Sequence, residues 1–389
     1  MSTFFYAIGF YFFTWYLPIF IMQEYGALYL SVIYVLGTAI GLLAVVSGVI
    51  SDVLGYEYLI IGVPALVALS YMVLLLKQDV LTALIVAIAL HVTPLGGPPM
   101  SALVSIISKR ETLGMAFSLY RLTMMIGFTI SSTLMAIVTQ VFGLSLALLL
   151  GAFLIVICVF LRIIVLKHVD YPVRSKRQTR AGVSEALGAH IIKMFRMLGL
   201  CGILAFASMA TINALALSYG PFLYNFIKSV LGLSIALLGV YQSLVTIMTA
   251  VSQPISGVVV DYAGERAFKY AIYAEVLLSS VISVIGLLIV KQGIMPIFVG
   301  IALTLILIYE LTGSILSNAI QVSVSSLTMK EFRGSSYGLL TSLSSLIAIP
   351  IYPIFAYAWY VSPALIPLSY GLLMIIPLVM TYIRKSICS

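Results

Sequence analysis

The chain is a succession of long apolar runs separated by short polar breaks. A bilayer-spanning helix needs about 20 mostly apolar residues, and each run is near or above that length. Six expected spans fill the first half: Ser2 to Met22, Ala27 to Ile50, Tyr58 to Leu76, Val80 to Ile107, Thr112 to Val141 and Leu144 to Leu166. Six fill the second: Met197 to Tyr219, Leu233 to Val260, Tyr270 to Val290, Ile294 to Leu327, Ser335 to Tyr360 and Ser362 to Ile383. Between them lies the long polar stretch Lys167 to Arg196. The pattern predicts an all-α membrane protein with twelve transmembrane helices in two six-helix bundles. The bundles are residues 1–166 and 197–389, joined by a central loop at 167–196. Pro64, Pro98, Pro350 and Pro353 fall inside spans, where neighbouring helices re-satisfy the backbone groups that proline frees.

Composition agrees with the pattern. The 389 residues are 62% hydrophobic and 8% charged, against roughly 45–50% and about 25% in soluble domains. This excludes a soluble enzyme, a nucleic-acid-binding domain, a disordered chain and a disulfide-rich secreted module. The net charge of +8 is a matter of topology. Of the 20 Lys and Arg, fifteen lie after spans 4, 6, 8 and 10 or in the tail, whereas Lys77, Lys228 and Lys291 alone follow odd spans. The positive-inside rule then places the even loops and both termini in the cytoplasm, beneath a cell membrane. The cluster Arg174, Lys176, Arg177 and Arg180 is best matched to anionic membrane lipid, not nucleic acid. Cys158, Cys201 and Cys388 have no metal-ligand spacing and indicate no disulfide framework. There is no phosphate-binding G-x-x-x-x-G-K-[ST] loop, so ATP drive within this chain is not expected. No cofactor, metal or enzymatic centre is indicated, and the expected state is a monomer. The apolar N-terminus, without a basic n-region, is read as the first span. Three Asn and eight Gln fit a thermophile's avoidance of labile amides, which membrane composition explains in part, and a prokaryotic source is expected.

The halves carry the same marks in the same order. Gly48-Val49-Ile50-Ser51-Asp52-Val53-Leu54-Gly55 follows span 2, and Gly257-Val258-Val259-Val260-Asp261-Tyr262-Ala263-Gly264 follows span 8. Both read G-x-x-x-D-x-x-G, 209 residues apart. Leu17-Pro18-Ile19-Phe20 is echoed by Gly220-Pro221-Phe222-Leu223, and Glu111-Thr112-Leu113-Gly114 by Glu331-Phe332-Arg333-Gly334, at offsets of 203 and 220 residues. Three ordered matches identify an internal repeat, and tandem membrane halves with a site between them are a transporter architecture.

Six plus six spans, a central basic loop and this motif after spans 2 and 8 resemble the major facilitator superfamily over essentially the whole chain. The second copy runs on through Glu265 and Arg266 to Lys269, close to that family's basic ending, while the first continues Tyr56-Glu57-Tyr58. The resemblance implies secondary active transport of a small solute by alternating access, with protons as coupling ion. It implies that spans 1, 4, 7 and 10 line the pathway. It also implies a cytoplasmic gate at Gly48, Asp52, Gly55, Gly257, Asp261, Gly264 and Arg266. Glycines permit close helix approach there, and each Asp can cap a neighbouring helix or pair with a cation. A plain turn-capping role for each Asp is the alternative.

Ionisable groups deep in a span are costly and default to functional candidates. Three qualify: His91, Arg121 and Glu310 lie about 16, 13 and 24 Å into spans 4, 5 and 10 at 1.5 Å rise per residue. Arg121 is a candidate for holding an organic anion bidentately. Glu310 is a candidate proton carrier, and His91 could assist either. The alternative is that Arg121 and Glu310 pair across the halves as a structural link. Asn213 and Gln242 could donate hydrogen bonds to substrate or merely link helices. Glu275 is read as lying nearer the cytoplasmic face, with Arg266 or Lys269 as partner. Two rival functions remain: an integral-membrane enzyme, for which the 12 acids are poorly placed, and a transporter-like substrate sensor.

Overall fold

The computed structural model describes residues 2–54, 56–76, 85, 91–107, 113–168, 183–328 and 333–388. Among these residues the regular elements are all helices, and eleven are long and apolar enough to cross a membrane. The first six spans are span 1, Ser2–Tyr25; span 2, Ala27–Gly41 and Ala44–Leu54; span 3, Glu57–Leu76; span 4, Thr93–Ile107; span 5, Leu113–Phe142; and span 6, Leu144–His168. The second six are span 7, Val183–Ser229; span 8, Ile235–Ala263; span 9, Glu265–Gln292; span 10, Pro296–Leu327; span 11, Arg333–Val361; and span 12, in the pieces Pro363–Leu365, Ile366–Leu373 and Ile375–Cys388. Much of the expected fourth span, from Val80, lies outside the described residues. Span 7 starts at Val183, so the second part of the stretch expected to be a loop is helical. Its regularity breaks at Gly199, whose φ of +60° suits a residue without Cβ. Cys158 is a free buried thiol.

Helical period sorts the apolar residues into two environments. On span 6, Leu149, Phe153, Val156, Phe160 and Ile164 recur every three or four residues and are exposed, as a lipid-facing stripe should be. Leu148, Ala152 and Ile155 on the other face are buried. Spans 1 and 7 are instead enclosed, with Phe12, Phe13, Trp15, Phe222 and Phe226 sealed in the core.

Span 11 of the second half repairs two helix defects. Span 2 breaks at Leu42-Leu43. There the Val45 N–H donates to Ser342 Oγ (2.9 Å) and that hydroxyl donates to the Leu42 carbonyl (2.8 Å). Pro221 in span 7 frees the carbonyl four residues earlier, and Tyr352 Oη donates to that group, Leu217 O, at 3.5 Å. Tyr352 in turn accepts from Thr38 Oγ1 of span 2 (3.2 Å). Such substitutes are required because lipid offers no partner for an open backbone group.

The same bonds tie the halves together. Spans 5 and 8 share Thr129–Thr246 (2.8 Å) and Thr133–Ser243 (2.6 Å) hydroxyl bonds. Buried Asn225 of span 7 donates to the Pro18 carbonyl of span 1 (3.3 Å) and to the Pro221 carbonyl (2.9 Å). The two prolines matched by the repeat therefore meet at one side chain.

Candidate functional site

On span 10, Glu310, Ser317, Asn318 and Gln321 follow one helical stripe that is incompletely covered, whereas Ala302, Ile306, Tyr309, Leu316 and Ile320 are buried. That stripe faces the first half of the chain. Glu310 lies within electrostatic range of Tyr11 in span 1 and of Tyr224 in span 7, and these two tyrosines are hydrogen-bonded to each other. Tyr219, Tyr241 and Tyr309 lie within the same range. Glu310 thus sits between the halves in a setting of tyrosines from spans 1, 7, 8 and 10.

Arg121 of span 5 reaches across to the same stripe at a different level. Its guanidinium donates to Asn318 Oδ1, to Ser317 Oγ (3.0 Å) and to Gln253 Oε1 of span 8 (3.4 Å). Asn318 is fixed by donating to Ser256. Asn318 is eight residues beyond Glu310, about 12 Å along the helix towards the basic-loop end. Arg121 therefore pairs across the halves, as one expectation held, but with neutral groups instead of Glu310. Three of its five N–H donors are thus engaged by neutral side chains of spans 8 and 10.

Glu275 is placed differently from expectation. Nine residues at 100° each put Arg266 on the opposite face of span 9, and Lys269 Nζ lies over the Tyr382 ring, 4.6 Å from its centre. Glu275 points inward, 1% exposed, and accepts a hydrogen bond from Tyr370 of span 12, with Thr312 of span 10 close by. Tyr370 stacks on Tyr219 (4.4 Å) and meets Tyr309 edge-on (5.5 Å). Glu275 and Glu310 lie within electrostatic range of each other through this tyrosine cluster. Tyr224, Tyr370 and Asn225 were not candidates from sequence, although the conspicuous count of 24 tyrosines was a signal.

Comparison with known proteins places this arrangement. The Major Facilitator Superfamily model matches residues 1–353. The chain belongs to the major facilitator superfamily. Among solved structures, it is similar to the human organic anion transporter MFSD10 (TETRAN), with TM-score 0.70, 14% identity, and coverage of 97% of this chain and 96% of that one. The POT family transporter PepTSo gives TM-score 0.73 at 14% identity, covering 99% and 97%. A mutant of the peptide transporter POT in complex with sulfate gives 0.69 at 17%, covering 99% and 93%. At such identities the likeness shows the fold alone. No curated protein matches the sequence.

In this major facilitator protein the two motif copies are placed unequally. Gly48 packs so closely on Gly334 and Ser335 of span 11 that an added Cβ would strike the Gly334 carbonyl. Gly338 packs in the same way on Ala44 and Val45. This motif glycine of span 2 thus meets a glycine of another repeated mark. A Cβ on Gly257 would meet nothing among the described residues. Gly264, with φ +50°, makes the turn between spans 8 and 9, and Arg266 is exposed. The side chains of Asp52 and Asp261, and the whole of Gly55, lie outside the described residues. His91 is buried against Gly37 of span 2 and edge-on to Tyr34 (4.7 Å). Asn213 is half-buried on span 7, and Gln242 is buried on span 8.

Proposed function

We propose that this superfamily member is a proton-coupled secondary carrier of a small solute, acting in the cell membrane by alternately exposing the Glu310 site to the two sides. The observation that carries this reading is the position of Glu310 between the halves, with a seam on either side of it. Towards the basic-loop end lie the Arg121 clasp and the Gly48–Gly334 contact. Towards the other end lie the Asn225–Pro18 bond and Gly239 packed on Ser132 and Ala136. Opening one seam while the other stays shut moves the site from side to side without a continuous pore. Glu310 takes up a proton on one side and releases it on the other. The basic-loop end and both termini face the cytoplasm by charge bias. The family supports a carrier over a membrane enzyme, and the lack of an ATP-binding loop in the sequence supports gradient drive over ATP drive.

The test is solute accumulation in proteoliposomes under an imposed proton gradient, for wild type and Glu310→Gln. Wild type is expected to accumulate solute against its gradient, and the variant to only equilibrate it. A variant that accumulates as well as wild type overturns the reading.

A further inference from the structure

We infer that the solute is an organic cation, such as a protonated amine, which occupies the Glu310 site in exchange for a proton. This rests on the proton-carrier reading above and adds the substrate class and the direction of coupling. The argument is an inventory of charge. Away from their ends, and leaving aside the stretch of span 7 before its break at Gly199, the spans contain two acids, Glu275 and Glu310, and three basic groups, His91, Arg121 and Arg162. Each basic group is committed elsewhere. Arg121 is held by Gln253, Ser317 and Asn318. Arg162 donates to the Ile60 carbonyl (2.6 Å) and covers the Tyr6 ring (5.4 Å) in the first half. His91 lies against Gly37 and Tyr34 of span 2.

Within electrostatic range of Glu310 lie Tyr11 of span 1, Tyr219 and Tyr224 of span 7, Tyr241 of span 8, and Glu275 of span 9, beside Tyr309 on its own helix. None of these carries positive charge. An ionised carboxylate away from water needs a counter-charge, so this site is completed by a proton or by an arriving cation. An anionic solute would instead add negative charge beside two acids. Glu275 is sealed by Tyr370 and Thr312, which leaves half-buried Glu310 as the reachable group. The surroundings of Glu310 are rich in tyrosine rings, a residue type that attracts organic cations. The described residues hold no group of three His, Cys, Asp or Glu to ligate a metal ion. When the cation binds, the Glu310 O–H bond breaks and its proton leaves to solvent. Solute and proton therefore move in opposite directions.

Tetraphenylphosphonium and tetraphenylborate match in shape and differ in sign of charge, which suits them as probes. Binding of each to the purified full chain is measured calorimetrically across pH, for wild type, Glu310→Gln and Glu310→Asp. The phosphonium is expected to bind with release of a proton, and its affinity to fall about tenfold for each pH unit on the acid side. Glu310→Gln is expected to lose this binding while keeping the wild-type melting temperature, and Glu310→Asp to retain it. Sodium and potassium are not expected to compete. Tighter binding of the borate, or phosphonium binding that is unchanged in Glu310→Gln, overturns the inference. Borate preference together with Glu310-dependent accumulation would leave the coupling reading standing. Phosphonium binding that needs Glu310, without proton-driven accumulation, would remove the coupling reading and keep the cation site.

Discussion

Replacing Gly48 with alanine isolates one contact of the basic-loop seam. The added methyl group would collide with the Gly334 carbonyl of span 11, where both partners are backbone and neither can rotate away. Overpacking of this kind costs about 1–3 kcal/mol. The cost falls only on the conformation in which spans 2 and 11 touch. At 1.4 kcal/mol per tenfold, opening at this end should become roughly 5- to 150-fold more populated. Gly257→Ala is the matched control. It sits at the same motif position in a helix and makes the same gain in helix propensity, about 0.8–1 kcal/mol, but its methyl meets nothing among the described residues. The reporter is Ser335→Cys, a buried position beside Gly48, 0% exposed, alkylated by a maleimide in detergent micelles. The alkylation rate should rise by the factor above in Gly48→Ala and by less than about twofold in Gly257→Ala. Equal rates in the two backgrounds would refute the claim that the Gly48–Gly334 contact holds this end shut.

Three further outcomes follow from named bonds. Arg121→Gln removes a clasp of three hydrogen bonds. At an average of about 0.6 kcal/mol for each interhelical bond in membranes, three bonds hold about 1.8 kcal/mol, and Ser335→Cys alkylation should quicken roughly twentyfold. Ser342→Ala strands the Val45 N–H and should lower stability by about 1–3 kcal/mol in thermal unfolding. Tyr370→Phe leaves a Glu275 oxygen without its donor and should cost a similar 1–3 kcal/mol. Glu275→Gln, which can still accept from Tyr370, should cost less, and the reverse order would show that this bond is not what holds Glu275.

The spans were legible because lipid imposes a length and a polarity that each apolar run must meet alone. Glu310 stood out for the same reason: an acid mid-span has no bland explanation within its own helix. The partners of such groups were not legible. Arg121 bonds to residues 132 and 197 positions away, and which of them it meets depends on how spans 5, 8 and 10 cross. Glu275 was misjudged from the assumed helix start at Tyr270. With span 9 beginning at Glu265, the glutamate lies a turn and a half deeper, on the face opposite Arg266. The repeated marks share an order along the sequence, but their glycines are not equivalent in packing. Gly48 is pressed between helices and Gly257 is not, a difference that the motif itself does not encode. The helix from Val183 is not evident in sequence because the stretch before Met197 resembles a solvated loop in composition.

The exchange of one cation for one proton at Glu310 is tested most directly by the steady-state accumulation ratio of an organic cation in proteoliposomes, measured against imposed pH differences. An electroneutral exchange predicts about tenfold accumulation for each pH unit, since one unit corresponds to 1.36 kcal/mol, with no response to membrane potential and no accumulation in Glu310→Gln. A ratio that ignores the pH difference, or that follows it equally in Glu310→Gln, contradicts the account.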